Sequence, residues 1–416
     1  MNRQPPAIPI AYSADQRRAV LVVAGVVFLG MSTLGLVLPV LPPLIHDALN
    51  YSATTVGWLM GIQAVATLIA RPWSGSLTDR HGGKRALQLG MLALAVSGVF
   101  YFLAIALPLA AHAGLFWLAV GRVLCGIGEG LLITGAAAWA ISRVGIDNAG
   151  RAMSLVGLAV FAGLAAGAAI GATLDGVAGF RGVSVAVVGI SLVGVVVVHS
   201  MRDSNVDGDG SSRLRAGEVV KRIWRSGLTL ALAATGFAVV TSFLVLAYTA
   251  KGWQGGALAI ATFAAGHVAA RLVCGGLIDR VRGPAAAACS LALEAAGLAT
   301  IWLAPNKVVA LCGAAMSGLG FSMVYPLLAL PALRRVDAGS RGMAIGLYDA
   351  FFDLSVGIAA LGSGLIADGM GLPAVFMLAS VACAVGALTA ISAYRISDSL
   401  PNAPREGLNR SQIGVR

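Results

Sequence analysis

Eight ionisable side chains interrupt otherwise apolar stretches of this chain: Arg71, Arg122, Glu129, His267, Arg271, Glu294, Asp349 and Asp353. A charge at the centre of a bilayer costs about 3 kcal/mol or more, so such residues are the first places to look for function. Arg122 and Glu129 lie seven apart, two helical turns along one face. Arg122 could bind an anionic group or relay charge, and Glu129 could load and release a proton. The plain alternative is a structural pair that satisfies itself. Asp349 and Asp353 are four apart beside Tyr348, Phe351 and Phe352. Asp353 is the deeper of the two and is a candidate for proton coupling, whereas Asp349 is close enough to the end of its run to snorkel. His267 titrates in a useful range, but its plain reading is a packed, hydrogen-bonded histidine. Arg71 and Arg271 read as groups that reach an interface or join an acidic network in preference to touching substrate.

Other chemistry has no foothold. The five cysteines (Cys125, Cys274, Cys289, Cys312, Cys383) sit inside apolar runs without metal-ligand spacing and read as small packing residues. There is no recognisable nucleophile–base pair and no G-x-x-x-x-G-K-[ST] phosphate loop. Asp203, Asp207 and Asp209 lack the following bidentate Glu that a calcium loop requires. The expectation is therefore not an enzyme, with no cofactor and no metal.

The elements that must position these charges are membrane spans. Of 416 residues, 58% are apolar and only 11% charged, far below the quarter charged in soluble domains, and mean hydropathy is +0.86. A span needs roughly 20 apolar residues. Such runs occur near 19–41, 54–77, 86–109, 114–142, 152–175 and 180–200, and again near 226–249, 256–279, 285–304, 307–332, 342–367 and 373–394. The reading is an all-α integral membrane protein of twelve helices, six plus six, in two bundles (19–200 and 226–394). A cytoplasmic segment 1–18, a solvated linker 201–225 and a tail 395–416 complete the chain. With the N-terminus inside, twenty-three Lys and Arg fall in inside segments, and only Arg181, Lys251 and Lys307 fall outside. That bias places both termini in the cytoplasm and explains the net charge of +11 without nucleic acid. The first run follows Arg17-Arg18 without a small-residue cleavage site and reads as a retained helix.

The halves echo one another. RPWSGSLTDR at 71–80 aligns with RLVCGGLIDR at 271–280, pairing Arg71 with Arg271, Gly75 with Gly275, Asp79 with Asp279 and Arg80 with Arg280. At an offset of 190, Arg151-Ala152-Met153 aligns with Arg341-Gly342-Met343. Parallel six-span repeats are the plan of two-lobed secondary transporters.

With these loops the chain resembles the major facilitator superfamily. Gly75-Ser76-Leu77-Thr78-Asp79-Arg80-His81-Gly82-Gly83-Lys84-Arg85 is similar to its signature between spans 2 and 3, and Arg122 with Gly126 and Gly128 is similar to its span-4 signature. Val56–Arg71 and Gly121–Thr134 resemble the bacterial arabinose-efflux-permease-like branch. Gly163, Gly167 and Gly171 resemble the span-5 signature of proton-driven exporters, with Ala168 where those carry Pro. The resemblance implies that span 2 packs on span 11 and span 5 on span 8, and that span 4, with Arg122 and Glu129, lines a central cavity. Asp79 would latch the inner gate beside Arg341, Asp279 would do so beside Arg151, and Arg80, Gly82, Lys84, Arg85 and Arg280 would complete the gate loops. The glycine stripe implies close packing, or a gate face sliding on span 8. The implied function is alternating-access transport in the bacterial inner membrane by a monomer, as proton-coupled efflux of a sugar or drug-like molecule. A proton-linked importer of a sugar or organic acid and a non-transporting sensor are the alternatives.

Overall fold

The computed structural model describes residues 13–106, 111–145, 149–201, 216–274, 283–333, 335–336 and 341–398. Helix α1, Ala14–Val37, opens with a capping box: Ser13 Oγ accepts from the Gln16 N–H, and Gln16 Oε1 accepts from the Ser13 N–H. Pro42 and Pro43 then interrupt regular hydrogen bonding, and the chain passes through Leu41–Pro43 into a wide turn at Leu44–Ala48. Helix α2, Ala53–His81, starts at the Ser52 cap and carries Pro72 in its interior. It ends at Gly82, whose φ of +79° suits a residue without Cβ, and α3 (Gly83–Ala106) follows at once. Helix α4 is Ala111–Val144.

The helical stretch Ala149–Ser200 has 52 residues, about 78 Å if straight and well over twice the ~30 Å hydrocarbon thickness. It breaks at Gly179, where φ is +61° and ψ −172°. The two sides of that break are α5 (149–178) and α6 (180–200). There follow α7 Ala216–Ala250, α8 Gly256–Cys274, α9 Gly283–Leu303, α10 Lys307–Leu333, α11 Arg341–Met370 and α12 Leu372–Asp398. Counted as continuous helices, eleven among the described residues are long and apolar enough to cross a membrane. Side chains such as Val177, Val273, Ile69 and Leu388 are mostly exposed on the outside. In water such a surface would be costly, whereas in lipid it is the expected facing.

Contacts concentrate among α1–α6 and among α7–α12, and the principal contacts between the two groups are α2 with α11 and α5 with α8. At the start of α2 the backbones nearly touch. A Cβ on Gly57 would meet the Ala360 carbonyl, one on Gly61 would lie 3.0 Å from the Gly357 carbonyl, and one on Gly364 would lie 2.7 Å from the Ala53 carbonyl. Small residues permit this approach, and van der Waals packing then holds the helices together where lipid offers no hydrophobic drive.

The stripe Gly163, Gly167 and Gly171 seats α5 on α1. A Cβ there would meet the carbonyls of Phe28, Ser32 and Leu36 in turn. The expected sliding of this face on span 8 is therefore corrected. Helix α8 meets α5 through Gly157 and Phe161. Two residues advance about 200° around a helix, so Phe161 and Gly163 face opposite ways.

Candidate functional site

Helix α2 presents Gln63, Thr67 and Arg71 four residues apart, which stacks them on one face. Each takes a partner from another helix. Gln63 Nε2 donates to Glu129 Oε2 of α4 at 2.8 Å, and Thr67 Oγ1 donates to the Gly126 carbonyl at 3.1 Å and lies 3.4 Å from Glu129 Oε2. Arg71 reaches across to α11. Its Nε donates to Asp353 Oδ2 at 2.6 Å, its Nη2 to Asp353 Oδ1 at 3.3 Å, and its Nη1 to Asp349 Oδ2 at 3.2 Å. These are the two ion pairs found among the described residues. Asp349 is held from its other side by Tyr325 Oη of α10, at 2.6 Å, and Tyr348 Oη donates to the Tyr325 carbonyl at 3.2 Å. The spacing of Asp349 and Asp353, one turn apart, lets one planar guanidinium bridge both, a geometry that a lysine could not copy. Pro72, next in sequence, removes the α2 hydrogen bond to the Leu68 carbonyl beside the residue that makes the crossing.

The network joins the two helix groups and has a simple charge logic. One guanidinium faces two carboxylates, so the cluster carries −1 when both are ionised and none when one holds a proton. Glu129 approaches the same α2 face as Arg71, through Gln63 and Thr67.

Arg122 takes no part. It is 2% exposed, with Nε donating to the Leu59 carbonyl at 3.1 Å and Nη2 at 3.5 Å from that of Met60. No ion pair joins it to Glu129. It fastens α4 to α2 through backbone oxygens and is spent on that contact in this state.

At its first turn α2 is held by α11 again. Asp368 accepts from the Ala53 N–H at 2.9 Å and the Thr54 N–H at 2.8 Å, satisfying donors that a helix N-terminus leaves unpaired. Between this end and the Arg71 network the middle of the molecule is filled with rings. Phe161 of α5 meets Phe237 of α7, Phe321 of α10 and His267 of α8 at centroid distances of 6.2, 6.1 and 3.3 Å, and Phe352 of α11 lies 5.5 Å from Phe237. His267 is packed as expected, but neither ring nitrogen has a hydrogen-bond partner among the described residues. Glu294 is fully buried among the last six helices, away from α2 and α11, with Cys383 beside it.

Of the gate residues, Arg80 and Arg85 are exposed at the α2–α3 turn, and Gly82 forms that turn. A Cβ on Gly75 would meet nothing within 4 Å. Asp279 and Arg280 lie outside the described residues, as do the side chains of Asp79, Arg151 and Arg341. No group of three or more metal-ligating side chains occurs among the described residues.

The helices and the buried interface network define a polytopic membrane protein whose two helix groups meet at charged and aromatic contacts. A profile described as Major Facilitator Superfamily matches residues 21–336 and 228–412, and the chain belongs to that superfamily of membrane transporters. It is 36% identical over 373 residues to an uncharacterized MFS-type transporter of Burkholderia pseudomallei (strain 1106a), covering 88% of this chain and 90% of that one. It is 35% identical over 395 residues to one of Pseudomonas aeruginosa (strain UCBPP-PA14), covering 94% and 98%. Among solved structures it is similar to a bacterial homolog of the human lysosomal transporter Spinster in an inward-facing, unoccupied conformation. The TM-score there is 0.73 at 14% identity, over 94% of this chain and 100% of that chain. The human organic anion transporter MFSD10 gives 0.70 at 16% identity, over 91% and 100%. At such identities the likeness is one of fold.

Proposed function

We propose that this chain is a proton-coupled secondary transporter that exports a small molecule across the bacterial inner membrane by alternating access. The break at Gly179 supports reading the long helix as two crossings, and the reading is then twelve crossings in two six-helix bundles (19–200 and 226–394) joined by the linker 201–225. The Lys and Arg bias puts both termini inside. In that frame the start of α2 is the outer end, and Asp368 with the glycine crossing closes it. Arg71, ten residues before the end of α2, pairs with α11 toward the inner side.

The observation that carries the reading is the Arg71–Asp353–Asp349 network, because it ties the two bundles together through groups that can take up a proton. A proton on Asp353 removes the charge behind two Arg71 hydrogen bonds and turns one accepting oxygen into a donor, and in a low-dielectric interface that loss is large enough to matter. Protonation thus weakens the α2–α11 contact, and deprotonation restores it. Glu129, held by Gln63, is the second proton-loading group. Export, rather than import, is the reading favoured by the glycine stripe on α5.

The test uses purified protein in proteoliposomes with an imposed pH gradient and a pH-sensitive dye inside, while sugars, organic acids and amphiphilic drugs are added one at a time. A compound that moves protons in the wild type should fail to do so in Asp353→Asn reconstituted at equal density. Wild-type proton movement in that variant would dismiss the network as the coupling site.

A further inference from the structure

The internal repeat makes Arg271 the counterpart of Arg71, yet the two are treated differently. Arg71 faces Asp349 and Asp353 on α11. At the offset of 190 that relates α11 to α5, those two acids correspond to Ala159 and Gly163. Arg271 accordingly meets no carboxylate among the described residues. It lies in the membrane-spanning part of α8, is half-buried, forms no ion pair with a described residue, and leaves its Nε without a partner. Across the interface its guanidinium packs directly over Gly157 of α5, where an added Cβ would lie 3.0 Å from Nη1.

One turn away along both helices, Phe161 stacks on His267. The ring centroids are 3.3 Å apart and the planes 16° apart. His267 is 1% exposed, with both nitrogens unpartnered. An unsatisfied imidazole at such depth is costly, a half-buried guanidinium near the end of a span without a described carboxylate adds to that cost, and natural structures satisfy buried polar groups nearly everywhere else. Beside them stand the rings of Phe237 and Phe321, the latter 5.6 Å from His267. A cation without a carboxylate partner among the described residues, an imidazole with hydrogen-bonding capacity to spare and a bed of phenyl rings share one interface, and this is the complement of an aromatic carboxylate.

Resting on the transport reading above, we infer that Arg271 and His267 hold the carboxylate of an aromatic organic acid in the α5–α8 interface, with its ring taking the place of Phe161 among Phe237 and Phe321. The repeat then divides labour. Arg71 is neutralised from within and serves the proton, while Arg271 is left uncompensated and serves the substrate. A carboxylate on a guanidinium makes paired, charge-assisted hydrogen bonds, and stacking supplies the rest.

The experiment measures equilibrium binding of 2-naphthoate to the purified full chain in detergent by calorimetry, with the neutral 2-naphthamide and the cationic 2-naphthylmethylamine as comparators. Naphthoate should bind about tenfold or more tightly than either comparator, as a hydrogen bond to a charged group is worth. Arg271→Gln should lose that advantage, and Arg271→Lys should keep part of it. Gly157→Asp should supply the missing counter-ion from within and abolish naphthoate binding, while the protein retains its size-exclusion profile and melting temperature. Equal binding of the amide or the amine, no binding of naphthoate to the wild type, or undiminished binding in folded Gly157→Asp would each overturn the inference. The transport reading fails separately. Naphthoate that binds but moves no protons counts against coupling alone, and proton movement by an unrelated compound without naphthoate binding counts against this site alone.

Discussion

At the scale of single residues, Arg71 concentrates the argument. Placing a guanidinium and two carboxylates between helices is favourable only as a set, because removal of one member strands the others in low dielectric, at a cost of about 3–5 kcal/mol for a buried pair. Arg71→Met should therefore lower the thermal midpoint in detergent sharply. The charge-free triple variant Arg71→Met, Asp349→Leu, Asp353→Leu should recover most of the loss, since apolar replacement of a whole buried network is often neutral. Equal destabilisation of the single and triple variants would mean that the network contributes shape and not charge. Both ends of the pair were legible as charges inside apolar runs. Their pairing was not, because 282 residues separate Arg71 from Asp353 and no local period spans that distance. Gln63 and Thr67 escaped a search for charges, although their four-residue spacing before Arg71 was a usable signal. Arg122 drew attention as a possible anion ligand, and only the carbonyls of Leu59 and Met60 show where its hydrogen bonds go.

Elements carry a different lesson. The stripe Gly163, Gly167 and Gly171 could be read from spacing alone, but spacing names a face and not the helix that covers it, and here the cover is α1. The α2–α11 contact repeats the principle, with Gly57 and Gly61 against Gly357 and Gly364 bringing the backbones together and Asp368 pinning the end. Truncation of a capping side chain costs about 1 kcal/mol, up to ~2, so Asp368→Ala should shift the balance toward opening at this end by roughly five- to thirtyfold. A cysteine replacing Thr54 in a cysteine-free background reports it, through the rate at which a membrane-impermeant maleimide reacts from outside. Unchanged reactivity in the double variant would show that the glycine crossing alone holds the end shut.

For the whole molecule, the apolar runs made the long membrane helices legible in the sequence, because lipid imposes length, and the Lys and Arg bias supplies an expected direction for them. Reading 152–175 and 180–200 as separate runs anticipated a division that continuous hydrogen bonding nearly conceals and that Gly179 marks in the backbone. Orientation can be checked in intact cells. Impermeant reagents should label cysteines placed at Gly252 and Asn306 and should leave those at His81 and Ser200 untouched until the membrane is opened. Labelling of His81→Cys from outside would invert the topology. The depth of the Arg71 pair has a further consequence. Dissolved ions weaken exposed charge pairs beyond a Debye length of about 8 Å at physiological ionic strength, but they act little on buried ones. The exposed arginines at the α2–α3 turn sit in the electrolyte, while the side chains that bond the two halves are at most 16% exposed and are screened far less. A change of ionic strength would therefore alter the first far more than the second, and the contact between the halves is expected to keep its strength from dilute to concentrated salt.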